Sequence, residues 1–341
     1  MSLDTIKHYP VMLSEVTNFL SDNKLILDCT FGGGGYSSEI LKKYSNSKVI
    51  ALDRDIEIIQ FAEKLEKKYL KRFFFKNLKF SEIHKVKELK KIDYFIFDLG
   101  VSHFQLKDMK RGFSFSSEDS LSMSMGLTDL DAEELIRKVS EKDLKNILKF
   151  FGEEKFASKI ASKIINIRNN QNISSGKQLA KIIETVKFKK SKINPSTKSF
   201  QALRMIVNQE LLEIYKSLKF IIENCKENST IIIVTFHSLE DLLVKKIINF
   251  YGKKTSISRY LPQDSDIKKM PIKILTNKAL KPNSEEVNVN PSSRSAKLRA
   301  FTKICKRNSK NQQNQRYNKT FKHITPLKKN IFPYLNQIFL N

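Results

Sequence analysis

A short apolar run, four consecutive glycines and the start of a helix follow one another in Leu25-Ile-Leu-Asp-Cys-Thr-Phe-Gly-Gly-Gly-Gly-Tyr-Ser37. The apolar run ends at Asp28, and the pattern after the glycines places Ile40, Leu41 and Tyr44 on one helical face. Strand, glycine turn and helix in this order are typical of the first nucleotide-binding loop of a doubly wound α/β sheet. Glycine suits such a loop because it adopts positive φ without steric cost and lets a ligand approach the backbone.

The next predicted strand, Val49-Ile-Ala-Leu-Asp53, ends in an acid roughly 20 residues after the glycines, where such folds bind a ribose. A nicotinamide cofactor favours the spacing G-x-G-x-x-G, but here the glycines are consecutive and Ser37 occupies the place of the last one. This departure favours another adenosine cofactor, with S-adenosylmethionine as the first choice. A glycine run alone fits a flexible loop as well, so Asp28 and Asp53 carry the cofactor interpretation.

The size and charge of the chain indicate what it binds. It has 341 residues and a formal net charge of +26. This length allows one large domain with an insertion, or two domains. The charge attracts polyanions, most often nucleic acid and less often an anionic membrane. A lysine-rich solvated surface is the alternative, but no stretch has the pattern of a helix that lies on a membrane, so we expect a nucleic-acid partner.

Cysteine and histidine are too scattered to predict a disulfide framework or a metal site. The cysteines are Cys29, Cys225 and Cys305, and we interpret Cys29, next to the glycines, as a packing residue. Residues 1–10 lack the apolar core of a signal peptide, and no apolar run reaches the length of a membrane span. We therefore expect a soluble, cytosolic protein.

Helical and strand patterns alternate unevenly along the rest of the chain. Asp93-Tyr-Phe-Ile-Phe-Asp98 predicts a strand that carries Asp98 at its end, before Gly100. In such a sheet, ligand sites lie at the carboxyl ends of the strands. From Asp131 to about Phe188 the pattern predicts four helices without a strand, which is typical of an all-α insertion. Strand character returns at Thr230-Ile-Ile-Ile-Val-Thr-Phe236.

Three segments follow from these patterns. Residues 1–106 and 207–305 are predicted to form a discontinuous domain that contains the sheet, and residues 107–206 an inserted helical substrate domain. Residues 306–341 contain eight Lys or Arg and no acid, which predicts a mobile basic tail.

Three further elements are predicted within these segments. Asn194-Pro195 is predicted to open one long helix, whose apolar face continues to Ile221. The stretch from Gly252 to Asn290 contains many Lys, Pro and Asn residues, and a hairpin or loop is the default prediction. Ser293 to Ile304 predicts a last strand.

Seven short motifs occur in order between residues 6 and 304. They are Thr30-Phe-Gly-Gly-Gly-Gly35, Asp98-Leu-Gly-Val-Ser102, Gln105-Leu106, Arg111-Gly-Phe-Ser-Phe115, Phe200-Gln-Ala-Leu-Arg204 with Val207-Asn208, Phe236-His-Ser-Leu-Glu-Asp241, and Asn290-Pro-Ser-Ser-Arg-Ser295. In this order and spacing they closely resemble the ribosomal RNA small subunit methyltransferase H family. Agreement across seven ordered motifs makes the resemblance highly specific.

The resemblance implies an α/β fold: the doubly wound, Rossmann-like sheet of S-adenosylmethionine-dependent methyltransferases, with an inserted all-α domain. It implies transfer of a methyl group from S-adenosyl-L-methionine to N4 of one cytosine in the decoding region of 16S rRNA. The small ribosomal subunit is then the expected partner. Carried over by position, the cofactor contacts are Gly34, Gly35, Tyr36, Asp53, Phe80, Asp98 and Gln105.

These residue types suit that ligand. The glycines admit the amino-acid end of the cofactor, Asp53 can accept both ribose hydroxyls, and Phe80 offers an apolar face to the adenine. Asp98 ends a strand near the place where the methyl group must move, so it is the candidate catalytic residue. It could equally bind only the ammonium of the cofactor. From spacing alone, Phe80 fits core packing as well, and Gln105 fits a polar loop position better than a cofactor contact.

The chain departs from the family pattern at four places. Tyr36 stands where histidine is usual, and a phenol cannot become cationic near neutral pH. His103-Phe104 replaces a serine followed by a proline, so the loop there is expected to follow a different path. Ser122-Met-Ser-Met125 lacks the acid and the arginine of an Asp-Met-Arg-Met motif, and Asn194 stands where histidine is usual.

Two other functions stay open from the sequence. A non-catalytic RNA-binding or ribosome-assembly protein could keep this fold, and the altered Ser122–Met125 motif would support it, whereas Asp53 and Asp98 argue against it. A DNA amino-methyltransferase typically shows an Asp/Asn/Ser-Pro-Pro-aromatic motif, where this chain has Asp98-Leu-Gly-Val101. The role of His237 is divided evenly between a pocket wall beside a helix cap and a direct substrate contact.

Overall fold

The computed structural model describes residues 10–187, 194–252 and 270–305. These residues fall into two compact units. The first unit comprises the described residues up to Gly100 and from Leu211 onward, and the second those from Val101 to Glu210. Within the described residues, no helix is both long and apolar enough to cross a lipid bilayer.

The first unit is built on a sheet of seven strands among its described residues. They are β1 (Leu25–Asp28), β2 (Lys48–Asp53), β3 (Phe73–Asn77), β4 (Tyr94–Asp98), β5 (Thr230–Thr235), β6 (Ile272–Ile274) and β7 (Lys297–Lys303). Their order across the sheet is β3-β2-β1-β4-β5-β7-β6. Strands β1 to β5 run parallel, and β7 is antiparallel to both of its neighbours. The order reverses direction between β1 and β4, so the predicted doubly wound α/β fold is confirmed.

Helices connect these strands and make up the second unit. In chain order they are α1 (Leu13–Thr17), α2 (Gly35–Lys43), α3 (Ile59–Lys68), α4 (His103–Lys107), α5 (Ala132–Lys138), α6 (Glu141–Phe151), α7 (Ala157–Arg168), α8 (Gly176–Glu184), α9 (Thr197–Val207), α10 (Glu210–Asn224), α11 (Ser238–Gly252) and α12 (Ser284–Val289). Parallel neighbours need a crossover connection, and α2 and α3 supply the first two, from β1 to β2 and from β2 to β3.

The central strands have continuous apolar sequences because both of their faces are covered. All six residues of β5 are buried, and residues 95–97 of β4 are at most 1% exposed. Each such side chain contributes roughly 1.5–3 kcal/mol of hydrophobic stabilisation relative to full exposure. The register pairs Asp28 of β1 with Ile96, and Asp98 of β4 with Val234. The acids that end β1 and β4 therefore lie at the same edge of the sheet.

In the second unit, the four helices predicted between Asp131 and Phe188 are present as α5 to α8. Three of them begin at a side chain that accepts a hydrogen bond from the backbone N–H three residues later. The capping residues are Asp131 for α5, Ser140 for α6 and Ser175 for α8. A cap of this kind typically contributes about 1 kcal/mol.

The single long helix predicted from Asn194-Pro195 to Ile221 is wrong. Helix α9 ends at Val207 and α10 begins at Glu210. Gln209, between them, has a φ of 52°, which is left-handed and interrupts the helical path. The apolar spacing continues across this break, so periodicity alone does not detect it.

Asn208 explains why α9 ends where it does. Its Nδ2 donates to the carbonyl oxygens of Met123 (2.7 Å) and Arg204 (2.9 Å). Its Oδ1 accepts from the backbone N–H of Met125 at 2.8 Å. The side chain thus ties the end of α9 to a segment more than 80 residues earlier in the chain.

The loop or hairpin predicted between Gly252 and Asn290 is wrong for its described part, which contains β6 and α12. Residues 253–269 lie outside the described residues. Strand β6 pairs with β7, and β7 is the last strand that was predicted between Ser293 and Ile304.

Candidate active site

The loop between β1 and α2 combines two left-handed glycines with open space. Gly32 has a φ of 53° and Gly34 a φ of 78°, values that L side chains rarely adopt. A Cβ on Gly34 would lie 2.8 Å from Cζ of Phe31, whereas a Cβ on Gly33 would meet no atom within 4 Å. Helix α2 then begins at Gly35 and directs the positive end of its dipole toward the loop. The backbone here can be approached closely by a ligand.

Asp53, at the end of β2, is tied to this loop. Its Oδ2 accepts from the backbone N–H of Gly32 at 2.7 Å, and its Oδ1 accepts from that of Asp55 at 2.9 Å. Burial raises the pKa of the carboxyl to about 6, although these two hydrogen bonds act to lower it. A carboxylate has about four acceptor sites, so Asp53 keeps capacity for further donors such as hydroxyl groups.

Asp28 lies at the end of β1, as the sequence predicted. Its hydrogen-bond partners could not be predicted from the sequence. The carboxyl is completely buried. It accepts from the hydroxyl of Ser37 at 2.7 Å and from the backbone N–H of Thr30 at 3.2 Å. Burial raises its pKa to about 6. Burial and the negative charge of Asp28 also raise the pKa of the Cys29 thiol well above its usual range, so Cys29 is not suited to act as a nucleophile.

Asp98, at the end of β4, has a carboxylate oxygen to which no described residue donates a hydrogen bond. Its backbone N–H donates to Oγ1 of Thr30 at 2.7 Å, which fixes the strand end beside the glycine loop. Its Oδ1 is buried and has no hydrogen-bond partner among the described residues. Burial, then the negative charges of Asp28 and Glu240, raise the pKa of Asp98 well above its usual range. A buried acceptor in this state favours a cationic donor nearby.

Glu240, in the first turn of α11, completes a group of three neighbouring acids that we call the acid cluster: Asp28, Asp98 and Glu240. Its Oε2 accepts from the backbone N–H of Phe236 at 2.9 Å. Nε2 of His237 lies 3.0 Å from Oε1 of Glu240. The backbone N–H of His237 also donates to Oε2 of Glu240, at 3.4 Å, so His237 lies beside the acid cluster. Sequence reasoning gave Glu240 no part in the site, because the chain does not show that α11 begins next to β4.

Comparison of the sequence with those of known proteins identifies the family of this chain. Residues 5–304 match the sequence profile of the MraW methylase family. The chain belongs to this family. "Ribosomal RNA small subunit methyltransferase H" of Rickettsia massiliae is 42% identical over 303 residues, which is 87% of this chain and 98% of that protein. The protein of the same description from Rickettsia bellii (strain OSU 85-389) is 40% identical over 302 residues, or 87% and 99% of the two chains.

The resemblance inferred from the seven motifs is thereby confirmed. Among solved structures, an rRNA methylase from Streptococcus thermophilus aligns with 86% of this chain and 94% of its own, at 10% identity and a TM-score of 0.38. Membership of the MraW methylase family therefore rests on the sequence relatives, and the fold on the strand order.

The side chain of Tyr36, the residue that departs from the family pattern, is buried and bonded to another part of the protein. The ring is 4% exposed, and the hydroxyl donates to the backbone carbonyl of Val11. Burial raises the pKa of this phenol well above its usual range, and the acids Asp98 and Asp28 add to the effect. Tyr36 therefore fixes the N-terminal segment, and its backbone at the start of α2 is the part left for a ligand.

Phe80 and Gln105, the other two predicted contacts, lie in different units. Phe80 begins a 3-10 helix that ends at Lys85, and its half-buried ring stands edge-on to Phe97 with centroids 5.7 Å apart. Gln105 belongs to the second unit, where its Oε1 accepts from the N–H of Ser102 at 3.1 Å and its N–H donates to Oγ of Ser102 at 3.2 Å. The glycine loop, Asp53 and Asp98 are brought together in the first unit, and Gln105 caps α4 in the second.

The altered motif Ser122-Met-Ser-Met125 keeps its place within the second unit through backbone contacts. Met123 and Met125 are at most 6% exposed. The N–H of Met123 donates to the carbonyl of Arg111 at 2.7 Å, in addition to the contacts with Asn208 described above. This segment is therefore held in place although it lacks the acid and the arginine of the family pattern.

We expect Asp28→Asn to make the ligand-free protein more stable at pH 8. Between pH 3.8 and about 6 the folded chain keeps a proton on Asp28 that the unfolded chain has released. The free energy of unfolding therefore falls as the pH rises through this window, by up to about 3 kcal/mol from this group. Asparagine carries no charge and retains an acceptor oxygen, so it avoids this loss.

Denaturant unfolding of both proteins at pH 8 and pH 4 measures the difference. The gain should be present at pH 8 and vanish at pH 4. Asp22→Asn is the matched control, because Asp22 is exposed and its pKa is lowered by hydrogen bonds from the backbone N–H of Asn23 and from Asn46 and Ser47. This substitution should therefore give no gain in stability at pH 8. A variant at position 28 that is no more stable than wild type at pH 8 would contradict the burial cost.

Proposed function

We propose that this protein transfers the methyl group of S-adenosyl-L-methionine to N4 of a cytosine in the decoding region of 16S rRNA. The observation that carries the proposal is Oδ1 of Asp98, a buried acceptor without a hydrogen-bond partner among the described residues. It lies in an acid cluster next to an open glycine loop, and this arrangement suits a cationic ligand. Support for the rRNA substrate comes from relatives described as ribosomal RNA small subunit methyltransferase H.

S-adenosyl-L-methionine is the cofactor, and when bound it supplies an electrophilic methyl group on a sulfonium. Its amino-acid end would lie against the backbone at Gly34, Gly35 and Tyr36. The Asp53 carboxylate would accept from the ribose hydroxyls, and the half-buried ring of Phe80 would lie against the adenine. Asp98 would accept from the ammonium group. Gln105 is the remaining contact implied by the resemblance, and like the others it stays a prediction.

Cytosine N4 is a poor nucleophile because its lone pair is delocalised into the ring. The protein must hold this amine in line with the methyl group and offer an acceptor for one of its N–H bonds. Asp98 is the proposed acceptor, since a carboxylate there can stabilise the positive charge that develops on N4 and accept the proton that N4 loses. A paired or stacked base must also be turned out of its helix before it reaches the site.

The decisive experiment compares small ribosomal subunits from cells with and without the gene. Purified protein and labelled cofactor are added to the unmodified subunits and to naked 16S rRNA, and mass spectrometry locates the new methyl group. We expect N4-methylcytosine at one position of the decoding region. Methylation of another base or position would contradict the proposed substrate. Tight cofactor binding without any transfer would favour the non-catalytic assembly protein, and transfer to duplex DNA would favour the DNA enzyme.

Removing residues 306–341 should weaken the salt dependence of rRNA binding. This segment lies outside the described residues, and its eight basic residues supply +8 of the net charge of +26, which leaves +18 for the rest of the chain. Each phosphate contact adds about 0.7–0.9 to the slope of log affinity against log salt. Binding titrations at several salt concentrations measure the slope, and cofactor affinity serves as the control. An unchanged slope would show that the tail makes no contact with RNA.

A further inference from the structure

The second unit exposes two large aromatic side chains where α6 turns into α7. Phe150 is 45% exposed and Phe156 is 42% exposed. The ammonium of Lys149 lies 5.8 Å from the centroid of the Phe150 ring, and Lys155 is exposed next to Phe156. We call these four residues the α6–α7 corner. Phenylalanine is among the residues most often buried, so two exposed rings beside two lysines need an explanation.

The backbone of the α6–α7 corner is held firmly. A Cβ on Gly152 would lie 2.4 Å from the carbonyl oxygen of Lys198, so the turn packs directly against the start of α9. The N–H of Phe156 donates to the buried carboxylate of Glu154 at 3.0 Å. Glu154 in turn accepts from Nζ of Lys187 at 2.8 Å. The two rings are therefore presented to solvent by a fixed turn rather than by a loosely held loop.

Lysines extend from the corner along both helices. On α6, Lys142 and Lys145 are exposed and share one face with Lys149, at spacings of three and four residues. On α7, Lys159 and Lys163 follow Lys155 at the same spacing of four and are also exposed. The corner therefore has two exposed rings and, on each of the two helices that meet there, a row of exposed lysines.

We propose that the α6–α7 corner is a stacking surface for unpaired bases of rRNA, and that the lysines of α6 and α7 contact the adjoining phosphates. The proposal rests on the proposed function, which makes rRNA the substrate. Aromatic rings bind unpaired bases through their π faces, and lysines track the backbone of a single strand. A protein partner fits less well, because lysine is depleted in protein–protein interfaces. The partner is thus a looped or single-stranded segment of rRNA.

The test is the double variant Phe150→Leu and Phe156→Leu, which keeps apolar side chains but removes both rings. Binding to a labelled decoding-region fragment of 16S rRNA is measured by fluorescence titration. We expect a loss of affinity of about fivefold or more for each ring removed, the lower end of what base stacking contributes. Phe74→Leu is the matched control, because Phe74 of β3 is 44% exposed and lies in the first unit. Cofactor affinity and melting temperature should be unchanged in all variants.

Two further single variants are Lys149→Gln and Lys155→Gln. Each should reduce the slope of log rRNA affinity against log salt by about the amount of one phosphate contact. Wild-type affinity in the double phenylalanine variant would overturn the proposal while leaving the proposed function intact. A loss of binding to assembled subunits but not to naked rRNA would also overturn it, since the corner would then contact a ribosomal protein. If the wild-type protein binds no rRNA at all, the proposed function fails first and this proposal fails with it.

Discussion

Asp98→Asn is expected to lower kcat/KM for methyl transfer by about 100-fold or more, the usual scale for a positioned acid–base group. The substitution keeps the shape and one acceptor oxygen, but it removes the charge from a carboxyl group whose Oδ1 is buried and has no partner among the described residues. Steady-state and single-turnover transfer with labelled cofactor measure the effect. Asp22→Asn, at an exposed aspartate, is the control, and it should leave the steady-state and the single-turnover rates of methyl transfer unchanged.

The same measurements separate the two roles that Asp98 can have. If its carboxylate accepts a hydrogen bond from the cytosine amine, the single-turnover rate falls even when the cofactor is saturating, while cofactor affinity changes little. If only the dissociation constant of the cofactor worsens and single-turnover transfer is normal, Asp98 is a binding residue. A wild-type kcat/KM would contradict both roles.

The pH dependence of cofactor binding gives an independent readout of Asp98. Burial and the charges of Asp28 and Glu240 raise its pKa well above the usual range. A cation bound beside the carboxylate lowers that pKa again, so binding releases a proton and affinity increases as the pH rises. In Asp98→Asn this contribution should disappear.

Asp53→Ala is expected to weaken S-adenosyl-L-methionine binding by about 100-fold or more. Two charge-assisted hydrogen bonds to ribose hydroxyls are each worth roughly 1.5–3 kcal/mol. The carboxylate also holds the N–H groups of Gly32 and Asp55, so the glycine loop loses a support at the same time. Calorimetric titration measures the affinity, and the melting temperature shows whether the fold is retained.

Asp22→Ala is the matched control for this variant. Asp22 also accepts a backbone N–H, that of Asn46 at 3.0 Å, but it precedes β1 rather than ending a strand at the carboxyl edge of the sheet. Its removal should leave cofactor affinity unchanged. Equal affinity in Asp53→Ala and wild type would contradict the ribose role of Asp53.

The sequence predicted those features of the fold and the site that depend on residues close together in the chain. The glycine loop and the acids that end β1, β2 and β4 could be located because apolar strands of a parallel sheet stop at one edge, and residues there meet. The helices α5 to α8 could be located because periodicity and capping residues act within a few residues of each other. These features do not depend on distant parts of the chain.

The features that sequence reasoning missed are long-range contacts. The break after α9 depends on Asn208, whose partners Met123 and Met125 lie more than 80 residues away. The hydroxyl of Tyr36 donates to the carbonyl of Val11, 25 residues earlier. Glu240 reaches the acid cluster only because β5 pairs with β4. No pattern of spacing within a single element reports such contacts.

The pairing of β4 with β5 also determines when the protein can fold as it is synthesised. Strand β4 ends at Asp98, and its neighbour β5 begins only at Thr230. A nascent chain that has passed β4 therefore carries an apolar strand with one open edge, which is prone to pair wrongly. The second unit is complete in sequence before β5 emerges and can form first. The acid cluster, which needs both β4 and α11, is assembled only late in translation, after residue 240 has emerged.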